Sequence, residues 1–285
     1  MALFQVDFTS QTLKRSVSLN VLIPADPNIG MPLRDNGPYK TLYLLHGVTG
    51  DCMKWLTLAN TMDYSQLYNL AIVMPSGERS YYLDIGNSDR MYSKFIGGEL
   101  VEFTRRVFPL SHSREDTFIG GQSMGGYGAL YNGLKYNGVF SRIISLSTSI
   151  LVNRMEEVSR KPNSSVVSPD YYREVAGGDF NQIKNSDKNL EVLAKQVLDS
   201  GENVPAIYLA CGYNDALVYG NRKFSDYLTG IGYKHYYEEG AGTHDFAFWS
   251  EFLQRGIDCL GLGEKVAAVS PYWVDAKNDS PNPVT

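Results

Sequence analysis

Cysteine is scarce in this chain. The three that occur, Cys52, Cys211 and Cys259, stand far apart and are odd in number. That excludes a disulfide framework and offers no zinc-ligand spacing, so no metal site is expected. They read as free, mostly buried thiols of a reducing compartment. No apolar run approaches the ~20 residues of a membrane-spanning helix. Residues 1–9 also lack the basic-then-apolar order of a secretory signal. The expectation is a soluble cytoplasmic protein with no membrane partner. Charge of one sign is missing too: the net charge is −5, and no long block of like charge occurs. Nucleic acid is therefore not an expected partner. Histidine is limited to four residues in 285, which makes assignment by elimination workable.

Glycine, by contrast, is abundant, and it concentrates in Gly120-Gly121-Gln122-Ser123-Met124-Gly125-Gly126-Tyr127-Gly128-Ala129. An apolar run (Thr117, Phe118, Ile119) precedes this stretch, and a helical spacing (Leu130, Leu134) follows it. A strand, a sharp turn and a helix with one serine at the apex is the setting of a Gly-x-Ser-x-Gly nucleophile elbow. Glycines at 121 and 125 let strand and helix pass closely and let Ser123 take a strained backbone. The helix start beside Ser123 points its N–H groups at the place where an oxyanion would form. A phosphate loop needs Gly-Lys-Ser/Thr, and the stretch has no lysine. A plain connecting turn is the bland alternative; the strand before and the helix after favour the nucleophile.

With 43% hydrophobic residues, the chain can bury a large core. Residues 3–9 and 16–23 read as two strands about a polar turn. The alternation Val17, Leu19, Val21, Ile23 places the second at a half-buried sheet edge. Apolar runs at 39–45, 70–74, 117–119, 142–146, 206–210 and 233–237 read as further strands. Helical spacings separate them: one carrying Trp55, Leu58, Met62 and Leu67, others at 97–110, 190–198, 221–228 and 244–260. The expected fold is a three-layer α/β sandwich with a mostly parallel eight-stranded sheet. Residues 151–184 have weak periodicity and several breakers, and are read as a small cap insertion. The whole is one domain over 1–263, followed by a loose polar tail at 264–285. In such sheets chemistry collects at the carboxyl ends of the strands. The tyrosine-rich segment 77–93 reads as a loop bordering the site.

A serine hydroxyl needs a base within hydrogen-bond reach, and that base needs an orienting acid. Among the histidines, His112 lies before the nucleophile strand, at the wrong end of the sheet. His235 sits inside the last strand. His46 follows a strand, but beside Gly47 it suggests a loop-shaping role. His244, in Gly240-Ala241-Gly242-Thr243-His244 ahead of the final helix, is the candidate base. The acid should follow the strand at 206–210, where Cys211-Gly212-Tyr213-Asn214-Asp215 offers Asp215. Asp245 adjoins His244 too closely in the chain and reads as a helix cap; Asp226 reads as a solvated helix face. The two oxyanion donors would be the backbone N–H groups of Met124 and Val48. Trp55, Met124, Val218, Phe246 and Trp249 are candidates to line an apolar acyl pocket, though each could equally be core.

The chain resembles the esterase D/putative esterase family of α/β hydrolases, closest to its tributyrin-esterase and acetyl-esterase branch. The residues that carry the resemblance are Leu44-Leu45-His46-Gly47-x-x-Gly50, Trp55, Gly121-x-Ser123-Met124-Gly125-Gly126-Tyr127-Gly128-Ala129, Cys211-Gly212-x-x-Asp215 and His244-Asp245-Phe246-x-Phe248-Trp249. It spans roughly residues 3–260 and implies an α/β-hydrolase fold. It also implies a cofactor-free serine carboxylesterase for small-molecule esters with Ser123, Asp215 and His244 as triad. S-formylglutathione hydrolases and feruloyl esterases are relatives. The former usually carry His before the nucleophile, where this chain has Gln122, which argues against glutathione thioesters. An acyltransferase would share every catalytic residue. A peptidase would need a sorting domain that this length leaves no room for, and a non-catalytic binding protein would be expected to lack a triad member. Self-association into a homo-oligomer stays open.

Overall fold

The computed structural model describes residues 1–26, 37–86, 89–160, 168–178, 180–263 and 265. Apart from Lys265, the expected tail lies outside the described residues. In chain order the elements are β1 (Ala2–Ser10), β2 (Arg15–Ile23), β3 (Thr41–Leu45), α1 (Lys54–Leu58), α2 (Thr61–Leu67), β4 (Ala71–Pro75), α3 (Tyr92–Lys94) and α4 (Leu100–Val107). They continue with β5 (Thr117–Gln122), α5 (Met124–Lys135), β6 (Arg142–Leu146), α6 (Leu151–Arg160), α7 (Pro169–Ala176) and α8 (Phe180–Lys184). The last are α9 (Leu190–Ser200), β7 (Ala206–Gly212), α10 (Val218–Gly230), β8 (His235–Gly240) and α11 (Phe246–Leu260).

All eight strands join one sheet in the order β1-β2-β4-β3-β5-β6-β7-β8. The β1–β2 and β2–β4 pairs are antiparallel and the rest are parallel. This is the expected α/β-hydrolase architecture. One detail differs: β2 lies between β1 and β4, so the edge is β1, whose residues are largely exposed. Alternation at 17–23 marked one face as covered. It could not say that a second strand pairs outside it.

Every residue of β3 is buried, because helices cover both faces. Leu42 and Leu44 point into a core shared with Trp55, Tyr64, Phe248, Trp249 and Leu253, from α1, α2 and α11. Tyr43 and Leu45 point into the opposite core with Leu100, Leu130, Val197 and Phe224, from α4, α5, α9 and α10. The period-2 alternation of the strand thus divides its side chains between the two layers.

Residues 151–184 contain more helix than their weak overall periodicity suggested. Leu151, Met155 and Val158 repeat at helical spacing on α6; Tyr172, Val175 and Ala176 do so on α7. All six are buried against the second core. Three short helices with separate phases blur any single periodic signal across the segment.

Candidate active site

Three strand ends meet at the site. Ser123 follows β5 at φ +57°, a left-handed conformation that a side chain rarely adopts, and its N–H donates to the Leu146 carbonyl at 2.9 Å. The turn is possible because the flanking residues lack Cβ atoms. A Cβ on Gly121 would stand 2.5 Å from the Gly125 carbonyl oxygen, and one on Gly125 would stand 2.7 Å from that of His46.

Asp215 follows β7, with its side chain fully buried. One carboxylate oxygen accepts the Leu217 N–H at 2.8 Å, and the other accepts from His244 Nδ1 at 2.8 Å. His244, in the loop after β8, holds Ser123 Oγ at 3.0 Å from Nε2. A carboxylate only accepts, so Nδ1 carries the ring proton and Nε2 presents its lone pair to the serine hydroxyl. Burial pushes the Asp215 carboxyl upward. The hydrogen bond and electrostatic attraction of the His244 ring, with the Leu217 amide and the Ser147 hydroxyl, outweigh it and hold the group below its usual range. The structure therefore brings the sequence-derived Ser123, His244 and Asp215 into one hydrogen-bonded line.

The remaining histidines and carboxylates fall elsewhere. His46 is 1% exposed: its Nδ1 donates to the Gly47 carbonyl at 2.7 Å, and its Nε2 accepts the Gly77 N–H at 2.8 Å. Burial lowers its pKa, so the neutral ring ties the loop after β3 to the loop after β4. His235 bonds Ser225 and the Tyr233 carbonyl. Asp245 caps α11, accepting the Phe248 N–H at 3.0 Å.

Ser123 opens onto a cleft of about 660 Å³. Val48, Met124, Phe246 and Trp249 line it. Two expected lining residues do not. Trp55 is 1% exposed, its indole N–H donates to the Leu45 carbonyl at 2.9 Å, and its ring meets Phe246 edge-on from behind. Val218 begins α10, whereas the cleft wall at that point is formed by Ala216 and Leu217. Helical spacing told that Trp55 is buried, but a core face and a pocket face give the same spacing.

Sequence reasoning missed Arg154, Glu157 and Tyr172 of the cap, and Lys54 and Leu58 of α1, all of which reach the cleft. Tyr81 also lines it, from the tyrosine-rich loop singled out as a border. Gln122 lies there with its Oε1 buried and without a hydrogen-bond partner. Among the described residues no group of three or more His, Cys, Asp and Glu could hold a metal ion, and no helix is long and apolar enough to cross a membrane.

The geometry can be set beside known proteins. The putative esterase family profile matches residues 10–257. An acetyl esterase from Caldicellulosiruptor saccharolyticus is 40% identical over 262 residues, covering 91% of this chain and 98% of that protein. An S-formylglutathione hydrolase from Staphylococcus aureus superposes with a TM-score of 0.78 at 27% identity, covering 91% of this chain and 98% of that one. A fluorophosphonate-binding serine hydrolase from the same organism gives 0.78 at 25% identity, covering 92% and 99%. Fold, elbow and family profile agree: the chain belongs to the putative esterase family and is a carboxylic ester hydrolase.

Proposed function

We propose that this chain is a serine carboxylesterase acting on short-chain acyl esters, acetyl to butyryl, through a covalent acyl-enzyme. One observation carries the reading: His244 bridges Ser123 at 3.0 Å and Asp215 at 2.8 Å from its two ring nitrogens. Ser123 Oγ attacks the ester carbonyl as His244 Nε2 takes its proton, and Asp215 stabilises the imidazolium. The carbonyl oxygen gains charge beside Val48 and Met124, whose backbone N–H groups are the assigned donors. His244 then protonates the departing alcohol oxygen. Water repeats the sequence on the acyl-enzyme and releases the acid.

The acyl group is assigned to the end of the cleft between α1 and α11, against Leu58 and Phe246. The acetyl esterase relative supports a small acyl group. The free thiols Cys52, Cys211 and Cys259 support a cytoplasmic setting. Likeness to the S-formylglutathione hydrolase favours a second reading, a thioesterase on the same triad. Labelling with a fluorophosphonate tests the first step. A single adduct at Ser123, absent from Ser123→Ala, is expected. An adduct at another serine overturns the assignment.

A further inference from the structure

The catalytic steps leave one buried polar group of the cleft idle. Gln122 closes β5 directly before the nucleophile, is 4% exposed and lines the cleft. Its Oε1 is buried without a hydrogen-bond partner. Buried side-chain acceptors are nearly always bonded, because burial strips off water and only a new bond offsets that loss.

Its neighbours cannot supply the bond. The amide lies flat against Gly47, where an added Cβ would stand 2.6 Å from Oε1 and 2.8 Å from Nε2. The Gly47 carbonyl already accepts the Gly50 N–H at 3.0 Å and His46 Nδ1 at 2.7 Å. His46 Nε2 accepts the Gly77 N–H at 2.8 Å, so the one proton of that neutral ring is committed to Gly47.

The position of the amide decides which part of a substrate meets it. Gly47 precedes Val48, the assigned oxyanion donor, on the β3 side of β5. Asp215 and His244 follow β7 and β8, on the other side. Gln122 therefore borders the carbonyl and acyl half of an ester, away from the leaving group. The ester carbonyl oxygen only accepts, in the ester and in the tetrahedral intermediate alike, so it cannot pair with Oε1. The donor has to come from the acyl group. Gln122 is the chain neighbour of Ser123, which limits that donor to the first carbon beyond the carbonyl. A hydroxyl there donates and accepts, so it can pair with either end of the amide. A half-turn about the last torsion of Gln122 exchanges those ends within the same planar outline.

We infer that Gln122 is a specificity-determining residue that binds a hydroxyl on the α-carbon of the acyl group. The favoured substrates are then 2-hydroxyacyl esters, such as glycolyl and lactyl esters, over plain acetyl and propionyl ones. The inference rests on the esterase reading above and adds the chemistry of the short acyl group to it.

The test holds the alcohol constant and changes the acyl group: ethyl acetate, ethyl glycolate and ethyl methoxyacetate, with p-nitrophenyl acetate as the control for esterase activity. Each kcat/KM is divided by the alkaline hydrolysis rate of the same ester, which removes the inductive pull of the α-oxygen. Wild-type enzyme should then favour glycolate over both acetate and methoxyacetate, whose ether oxygen has no proton to give, by roughly 3- to 10-fold. Gln122→Met keeps the length of the side chain and deletes the amide. It should lower the glycolate-to-acetate ratio by the same factor and melt no lower than wild type, because it removes an unsatisfied buried group. A wild-type enzyme without preference for glycolate overturns the inference, whether or not the variant folds. Equal losses on glycolate and acetate in Gln122→Met, or lower melting with an unchanged ratio, also overturn it, in favour of a structural role. In each of those cases turnover of p-nitrophenyl acetate keeps the esterase reading standing. No turnover of p-nitrophenyl acetate by wild-type enzyme sinks both.

Discussion

The indole N–H of Trp249 donates to Ser147 Oγ at 3.0 Å, and the same ring meets the His244 imidazole edge to face with centroids 4.8 Å apart. An indole only donates, so Ser147 accepts there and keeps its own proton for Asp215, whose carboxyl it helps to hold low. Trp249, Ser147, Asp215 and His244 thus form a closed circuit around the base. Ser147 sits in it fully buried at φ +46°.

Ser147 is therefore a positioning residue under strain, and two variants separate its roles. Ser147→Ala and Ser147→Gly both lose the hydroxyl, and each should lower kcat about tenfold or more with little change in KM. Glycine tolerates positive φ and alanine does not, so Ser147→Gly should melt higher than Ser147→Ala, by on the order of 1 kcal/mol. Equal melting with full activity in both would remove Ser147 from the circuit.

Asp215 and Asp245 differ in partner, so their variants should differ in effect. Asp215→Asn should cost about 10⁴-fold in kcat, by stabilising the wrong imidazole tautomer. Asp245→Asn keeps an N-cap acceptor for Phe248 and should change kcat little, while Asp245→Ala should cost about 1 kcal/mol of stability. Steady-state kinetics and melting on the three variants check the ranking. The reverse order would make Asp245 the acid.

His46 gives the fold a pH dependence of its own. Burial holds its folded pKa below the ~6.5 of an exposed imidazole. The unfolded chain therefore binds more protons below about pH 6.5, and stability falls as the pH drops from there towards the folded pKa. Melting temperature should decline between about pH 7 and pH 5, a window above that of the carboxylates. His46→Gln should start less stable and show a flatter profile. A wild-type profile flat over that range would show that His46 charges without cost.

Much of this was legible in the sequence, and the failures share a cause. The elbow, the succession of strands and helices and the meeting of Ser123, Asp215 and His244 follow from local signals: glycines around a serine, buried runs, and polar residues just past strand ends. Trp55 and Val218 failed because spacing reports burial, not which side of a wall a ring occupies. Ser147 was invisible because a positive φ at a serine leaves no mark on the residues beside it. Arg154, Glu157 and Tyr172 reach the cleft only through the way α6 and α7 pack on the sheet domain, which no local pattern encodes.

Acyl-chain length depends on the wall the sequence misplaced. Phe246 is wedged between Trp55, 5.4 Å away, and Trp249, 4.9 Å away, both edge-on, so its ring has little freedom to retreat. Leu58, 50% exposed, and Lys54 line the same cleft. A methylene lying on Phe246 and Leu58 should gain at most about 1–3 kcal/mol of discrimination. A chain that outgrows these two side chains gains no more, because the other lining here includes the Lys54 ammonium group. For p-nitrophenyl esters kcat/KM should therefore peak between acetate and butyrate and fall by octanoate. Phe246→Ala should move the peak to longer chains. Trp55→Ala should do so less and only indirectly, by freeing Phe246, while losing about 3–5 kcal/mol of stability for the emptied core site. Wild-type activity that rises steadily to palmitate would mean that the acyl chain leaves by another path, and Phe246 would not be its wall.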